Sequence, residues 1–373
     1  MVTISKSQLA ALILMFQIGS TPLFLLGKSA GVDAWIAILI AMAAGLLLLL
    51  LLLQIHRLEP DKELIEIFFT YCGKFIGYGM AAAYFFYFSY KSIRNVREFA
   101  ELIGLYMLPK TPLWVLVGCI ILLASYAVWQ GLEVIGRVIQ ILVPLILMVY
   151  AFFFAMIYGT GLINIHRIQP VLENGIFRVL EASLPELVSF PFGEMVLLLM
   201  FWKHVTPKAD VVPVTIRWYL ITGMITVCTN VIILACLGPL SQMSVAPFIE
   251  VVSLVRFKSF LERLDPFVSA VLFTGVFIKL TLYFLGASFV CKHLVKMRTS
   301  FIILKVGGVI FVGALMFRNY LQQNWIGQRL NLNYHFPLFQ IILPLLLLAM
   351  MVIRHRLRNG GKRKASEIRE GGG

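Results

Sequence analysis

Two ionisable residues sit where an apolar chain tolerates them least. Glu194 follows Ser189-Phe190-Pro191-Phe192-Gly193 and opens the apolar run Met195–Trp202, while Lys279 lies in the middle of Val268–Val290 with no acid nearby in sequence. A charge at the centre of a hydrocarbon-spanning helix costs about 2.5–3.5 kcal/mol on insertion scales, so each needs a partner or a task. Three tasks suit Glu194: capping amides exposed beyond the break, holding a proton, or pairing with a cation. Lys279 needs carbonyl oxygens or a carboxylate. A fixed ammonium can also stand where a sodium-coupled protein holds its ion, which predicts sodium independence. Snorkelling to an interface is the alternative for Lys279, and its apolar neighbours on both sides oppose it.

A second group of charges, Lys91, Arg94, Arg97, Glu98 and Glu101, falls in the third apolar segment. Arg94/Glu98 and Arg97/Glu101 are spaced i,i+4, so partial neutralisation along one helix is expected. Such a cluster either latches helices or touches a ligand. Tyr84, Tyr87 and Tyr90 precede it. Tyr87 and Lys91 share a helix face one turn apart, which makes Tyr87 a candidate cavity wall; an interfacial aromatic belt is the other reading.

The elements that must position these groups are interrupted. The first segment runs apolar over Leu9–Phe16, breaks at Gln17-Ile18-Gly19-Ser20-Thr21-Pro22 and resumes over Leu23–Leu26. The sixth breaks at Ser189–Glu194 in the same manner. Unwound backbone at membrane depth is tolerated only where it lines a cavity or meets a ligand. Exposed amides attract an anionic group and free carbonyls a cation, so the pair of breaks suits a zwitterion such as an amino acid. A Pro/Gly kink serving packing alone is the competing explanation. The candidate ligand-binding residues are therefore Gln17, Ile18, Gly19, Ser20, Thr21, Tyr87, Phe190, Pro191, Phe192, Gly193 and Lys279. Lys91, Arg94, Arg97, Glu98, Glu101 and Glu194 are candidate structural or coupling charges.

No phosphate-binding Gly loop, hydrolytic triad or metal-ligand spacing is visible, so neither enzymatic activity nor a metal or other cofactor is expected. The six histidines fall near span ends and loops. Five scattered cysteines form no disulfide or metal framework and read as apolar filler.

Composition sets the class. The chain of 373 residues is 60% hydrophobic and 13% charged, with a mean hydropathy of +0.90, which excludes an ordinary soluble domain. Runs such as Ala34–Leu53 and Pro112–Trp129 can cross a bilayer as helices. Spans are expected near 9–26, 34–54, 75–105, 112–130, 138–160, 185–202, 211–238, 266–291, 301–317 and 336–353. The first lacks a small-x-small cleavage site and is expected to be retained.

The net charge of +14 follows topology. With a cytoplasmic N-terminus, 19 of the 32 Lys and Arg residues lie inside, counting Arg217 and Lys305 at the inner ends of their spans, and 9 outside, with Lys91, Arg94, Arg97 and Lys279 deeper within spans. This bias gives N-in, C-in and an even number of spans. The basic excess thus faces lipid headgroups and not nucleic acid.

The expected fold is an all-α integral membrane domain over residues 1–353, with halves of about 1–160 and 185–353. Five spans per half place the two copies in opposite orientations, a 5+5 inverted repeat with broken helices 1 and 6. The basic tail 354–373 is expected to be unstructured and to lie against anionic headgroups. The outer loops Gly161–Leu184 and Ser241–Asp265 can carry amphipathic helices, as lids or as plain connectors. The polar second half of the third segment either continues that span or projects from the membrane.

Taken together, these residues resemble the spore germination permease family, the B subunits of nutrient germinant receptors. The resemblance rests on Gln17-Ile18-Gly19, Arg97-Glu98-Phe99-Ala100-Glu101, Ser189-Phe190-Pro191-Phe192-Gly193-Glu194 and Glu262-Arg263-Leu264-Asp265 leading to Phe277-Ile278-Lys279. Their order, spacing and the loop sizes match over nearly the whole chain. Thr21-Pro22 departs from the pattern, since relatives often keep another small residue there, and this leaves the ligand's identity open. The resemblance implies the amino acid–polyamine–organocation superfamily and a LeuT-like bundle. It also implies a germinant sensor in the inner spore membrane, working with a membrane-anchored A subunit and a lipoprotein C subunit. A proton-coupled amino-acid transporter is the alternative, with Glu194 or Lys279 in coupling.

Overall fold

Pro, Gly and capping side chains partition the apolar sequence into helices. The computed structural model describes residues 3–255 and 265–370. Within the resemblance, Glu262-Arg263-Leu264 lies outside the described residues, as does the later part of the Ser241–Asp265 loop. Helix α1 spans Lys6–Ile18 and opens with a reciprocal cap, in which Gln8 N–H donates to Ser5 Oγ (3.3 Å) and Ser5 N–H to Gln8 Oε1 (2.8 Å). Helix α2, Ala34–Leu58, stops just before Glu59-Pro60, where the ring removes a donor. Helix α3, Leu64–Tyr106, starts with a Glu63/Glu66 cap and kinks at Gly73, whose φ of +81° only glycine adopts without strain.

Helices α4, Leu113–Gln130, and α5, Leu132–Gly159, are separated by Gly131 alone. Short helix α6, Gly175–Ala182, lies in the first expected outer loop and runs through a π-type turn at Ser183–Leu187 into the second break. After it come α7, Val211–Leu237, the short α8, Pro247–Ser253, and α9, Asp265–Leu294. Helices α10, Thr299–Leu315, α11, Tyr320–Leu330, and α12, Leu343–Glu370, complete the chain, with a π-type stretch over Asn331–Ile342 before α12.

Seven helical stretches among the described residues are long and apolar enough to cross a membrane, and Thr299–Leu315 is a shorter apolar helix. Large apolar side chains face outward on α4, α5, α10 and α12, as with Leu122, Ile141, Leu304 and Leu346. Gln17, Lys91, Glu194, Asn230 and Lys279 are buried. Polar groups inside and apolar groups outside is the arrangement expected when lipid is the solvent. The protein is thus an all-α, multi-pass membrane protein.

The centre is built on α3 and α9, which pack along one another more extensively than any other helix pair. Helix α1 wedges between α5, α7 and α9. Its end is fixed by a glycine pair: a Cβ on Gly275 of α9 would lie 2.7 Å from Gly19 Cα, and one on Gly19 would collide with the Gly275 carbonyl. The N-terminal end of α1 is tied to the sixth segment, with Ile4 N–H donating to the His204 carbonyl (2.8 Å) and Thr206 N–H to that of Ile4 (3.0 Å).

Three expectations need correction. Leu23–Leu26 does not resume a helix: the chain makes a 3-10 turn at Thr21–Leu23, extends at Phe24 and turns again over Lys28–Asp33. A four-residue apolar run is too short to nucleate a helix of its own. Beyond the second break, Phe192–Met200 is a tighter 3-10 helix. Helices α9 and α10 pack over α3, and Arg97 in its charged half reaches the end of α10. The chain before the last span is helical from Tyr320, and the backbone stays helical to Glu370, where an unstructured tail was expected.

Candidate functional site

Glu194 lies at the start of the 3-10 helix that follows the second break, buried between two ammonium groups. Lys91 Nζ of α3 donates to its Oε1 at 2.9 Å, and Lys279 Nζ of α9 sits 2.7 Å from Oε2. The second contact is an ion pair. Of the tasks open to Glu194, the geometry displays the ion pair. Each lysine reaches further. Lys91 donates to Asn331 Oδ1 (2.7 Å), whose amide donates to Ser189 Oγ (2.6 Å) in the second break. Lys279 donates to Ser20 Oγ (3.2 Å) in the first break and lies over the Phe190 ring, 4.3 Å from its centroid. Two lysines and one carboxylate thereby join α3, α9 and both breaks. Partnering of this kind is what makes burial of three ionisable groups bearable.

The rest of the first break is held by its neighbours. Gln17 Oε1 accepts from the Thr222 hydroxyl of α7, and the Leu26 amide donates to Asn230 Oδ1 (2.9 Å). Ile18 and Thr21 are buried, with the Thr21 hydroxyl directed at the Ile18 carbonyl (3.5 Å). Gly19 serves the close crossing with Gly275. In the second break, Phe192 packs on Tyr219 (ring centroids 5.5 Å apart) and against Gly45 of α2. Gly193 lies two residues beyond Pro191 and against the Gln340 side chain, which leaves no room for a Cβ. Tyr87 is buried, stacked on Phe339 at 4.5 Å, and its hydroxyl accepts from Gln340 Nε2 (2.9 Å). Lys91 lies 5.8 Å from the Tyr87 ring centroid, as their shared face predicts.

Beside the charged trio opens a cavity of about 510 Å³. Its walls come from α3, the chain after the first break, the second break, α11 and residues 243–245. Lys91, Arg94, Glu98, Phe190 and Glu194 line it; of the predicted ligand-binding residues, Gln17, Ile18, Gly19, Ser20, Thr21, Tyr87, Pro191, Phe192, Gly193 and Lys279 do not.

The two i,i+4 pairs of α3 behave differently. Arg97 donates to Glu101 Oε1 from Nε (2.9 Å) and Nη2 (2.6 Å), and its Nη1 reaches the carbonyls of Ala314 (3.2 Å) and Phe317 (2.8 Å) at the end of α10. This is a helix latch. Among the described residues Arg94 and Glu98 form no ion pair with each other, contrary to the spacing argument; both face the cavity, and the Arg94 guanidinium packs on Gly327 of α11. Spacing brings two side chains within reach, but the neighbour over the helix decides the rotamer.

Sequence reasoning missed Asn331, Gln340, Thr222 and Asn230, although amides and hydroxyls inside long apolar helices are themselves a signal. It also missed a network near the α3 N-terminus, where Lys203 pairs with Glu63 (3.1 Å) and Glu66 (3.0 Å) and His293 contacts Glu63. Glu63, Glu66 and His293 could together offer three metal ligands. Lys203 already neutralises both carboxylates, so the group reads as an ion-pair network. Burial alone would push the Glu63 carboxyl up, but the His293 hydrogen bond and the Lys203 ammonium outweigh it and hold it below its ordinary 4.5. Burial opposes the charge on Lys203, and the two glutamates raise it above the ordinary lysine value regardless.

With this geometry in view, comparisons with known proteins are specific. Residues 3–323 match the family model described as spore germination protein. Spore germination protein KB of Bacillus subtilis (strain 168) is 29% identical over 96% of this chain and 97% of its own length. Spore germination protein YndE of the same organism is 23% identical over 87% and 88% of the two chains. Spore germination protein GerQB of Bacillus cereus is 24% identical over 46% of each. Coverage that spans α1 through α10, both breaks and all three members of the buried trio leaves one assignment: the chain belongs to the spore germination permease family.

Proposed function

We propose that this protein is the nutrient-sensing B-type subunit of a germinant receptor, binding a small germinant of the amino-acid class in the cavity beside Glu194. The carrying observation is the Lys91–Glu194–Lys279 network, which links both interrupted segments to the floor of that cavity. A ligand that touches Lys91, Phe190 or Glu194 touches the joint on which two segments and two long helices depend. Its differential affinity for two arrangements of that joint shifts the population between them, and A- and C-type partner subunits transmit the shift. The chain itself catalyses no reaction.

The reading includes ten spans in a LeuT-like 5+5 inverted repeat, N- and C-termini in the cytoplasm, and residence in the inner spore membrane. Both breaks, the buried trio and the charge bias support it. Lys279 supplies a fixed positive charge against the first break, so sensing is independent of sodium.

Three buried ionisable groups in one network also favour a second reading, a proton-coupled amino-acid permease that uses the same cavity. The two separate experimentally. The purified chain is melted in the presence of single nutrients and, in parallel, reconstituted in liposomes with radiolabelled nutrient and an imposed proton gradient. Sensing predicts saturable thermal stabilisation without accumulation; transport predicts gradient-driven accumulation. Absence of stabilisation by every nutrient contradicts both.

A further inference from the structure

The cavity is lined by two oppositely charged side chains that no close contact joins. Arg94 and Glu98 lie one turn apart on the cavity face of α3, and among the described residues neither side chain makes a hydrogen bond or ion pair. Arg94 Nε is buried without an acceptor. The guanidinium rests on Gly327, where any side chain would displace it. The other ionisable groups facing the space are engaged or peripheral. Lys91 and Glu194 are paired, Glu186 accepts from Gln328 Nε2 (2.9 Å), and Lys28 is exposed at the edge.

Leaving a buried charge-bearing donor unmatched costs more than a neutral pair gains, so a site of this kind persists when a ligand completes it. Residues one turn apart on a helix stand about 5–6 Å apart at Cβ. A molecule carrying a carboxylate and an ammonium on one carbon fits between such side chains and satisfies both. Asn95 and Asn324 offer neutral hydrogen bonds nearby, and Leu26, Leu187 and Leu332 form an apolar wall.

We propose that Arg94 and Glu98 are the specificity-determining residues of the cavity, Arg94 receiving the carboxylate and Glu98 the ammonium of an α-amino acid with an uncharged side chain. This deepens the sensing reading and rests on the cavity being the site of sensing. It moves zwitterion recognition from the backbone of the two breaks to side chains of α3.

The experiment is a ligand-by-variant cycle on the full chain in nanodiscs. The twenty L-amino acids, glucose and inosine are first screened singly by thermal shift. The stabilising amino acid is then compared with its amide, which lacks the carboxylate charge, and its 2-hydroxy acid, which lacks the ammonium. In the unmodified chain each analogue binds roughly ten- to a hundredfold more weakly, the range for one lost charge-assisted hydrogen bond. Arg94→Gln abolishes the preference for acid over amide and keeps that for amine over hydroxyl; Glu98→Gln does the reverse. Arg94→Lys retains the acid preference, which separates charge recognition from a general loss of structure. Unchanged preferences in both Gln variants overturn the assignment. Stabilisation by glucose or inosine and by no amino acid overturns it while leaving cavity sensing intact. Stabilisation by nothing overturns both.

Discussion

Lys279 and Glu194, 85 residues apart in sequence, meet at 2.7 Å in the protein interior. Through that contact α9 reaches the second break, and through the Lys279–Ser20 hydrogen bond it reaches the first. The consequence is mechanical as well as electrostatic: neither interrupted segment can move without disturbing the same buried carboxylate.

Removing that carboxylate leaves two buried ammonium groups without their counter-charge. Glu194→Gln is expected to destabilise the protein by about 3–5 kcal/mol, the range for breaking a buried ion pair from one side. Replacing all three members with apolar residues of similar size (Lys91→Met, Glu194→Leu, Lys279→Met) recovers most of the stability but not the germinant response. Denaturation in detergent and spore complementation measure the two effects separately.

The crossing of α1 and α9 tolerates no side chain. Gly19→Ala is expected to cost about 1–3 kcal/mol through overpacking against Gly275. Gly308→Ala, where no atom lies within 4 Å of a new Cβ, is expected to be neutral or slightly stabilising. Melting temperatures of the two variants, compared side by side, check the contrast.

The breaks were legible in the sequence because Gly, Pro and polar residues interrupt runs that otherwise bear none. Glu194 and Lys279 were legible as needing partners, for the same reason. Which partner each takes was not, since Glu194, Lys91, Lys279 and Asn331 come from remote parts of the chain. Helix α11 escaped notice because its polar composition lacks an apolar stripe, although Asn319 caps it through the Gln322 amide. The Arg94/Glu98 spacing suggested neutralisation, whereas the Arg94 guanidinium packs on Gly327. The cavity itself depends on loops folding over α3, and no local pattern encodes that.

The Glu63–Lys203–His293 network gives a pH dependence with a definite sign. Glu63 is depressed in the folded state, so its contribution is fully present above its unfolded value of 4.5 and is lost as pH falls through the lower folded value. Lys203 is raised, so its contribution is present below the ordinary lysine value and fades as pH rises through the folded one. The melting temperature is therefore expected to drop in acid below about pH 4.5, and Glu63→Gln to flatten that drop. An equally steep acid limb in the variant contradicts the assignment.

With Lys279 providing the fixed charge against the first break, replacing sodium by potassium at constant ionic strength is expected to leave nutrient binding unchanged. Titrations in the two salts test this. A sodium-dependent affinity would show that an ion, and not the lysine, completes the site.

The most direct test of cavity sensing fills the cavity without touching its charged floor. Asn324 of α11 lines the cavity and is exposed, so Asn324→Trp adds bulk where the fold has room. The measurement is thermal stabilisation by a saturating nutrient, where a ligand at a hundred times its Kd contributes about 2.7 kcal/mol. The account predicts an unchanged melting temperature without nutrient and loss of the nutrient-dependent increase. An undiminished increase in Asn324→Trp would place the ligand elsewhere and contradict the account.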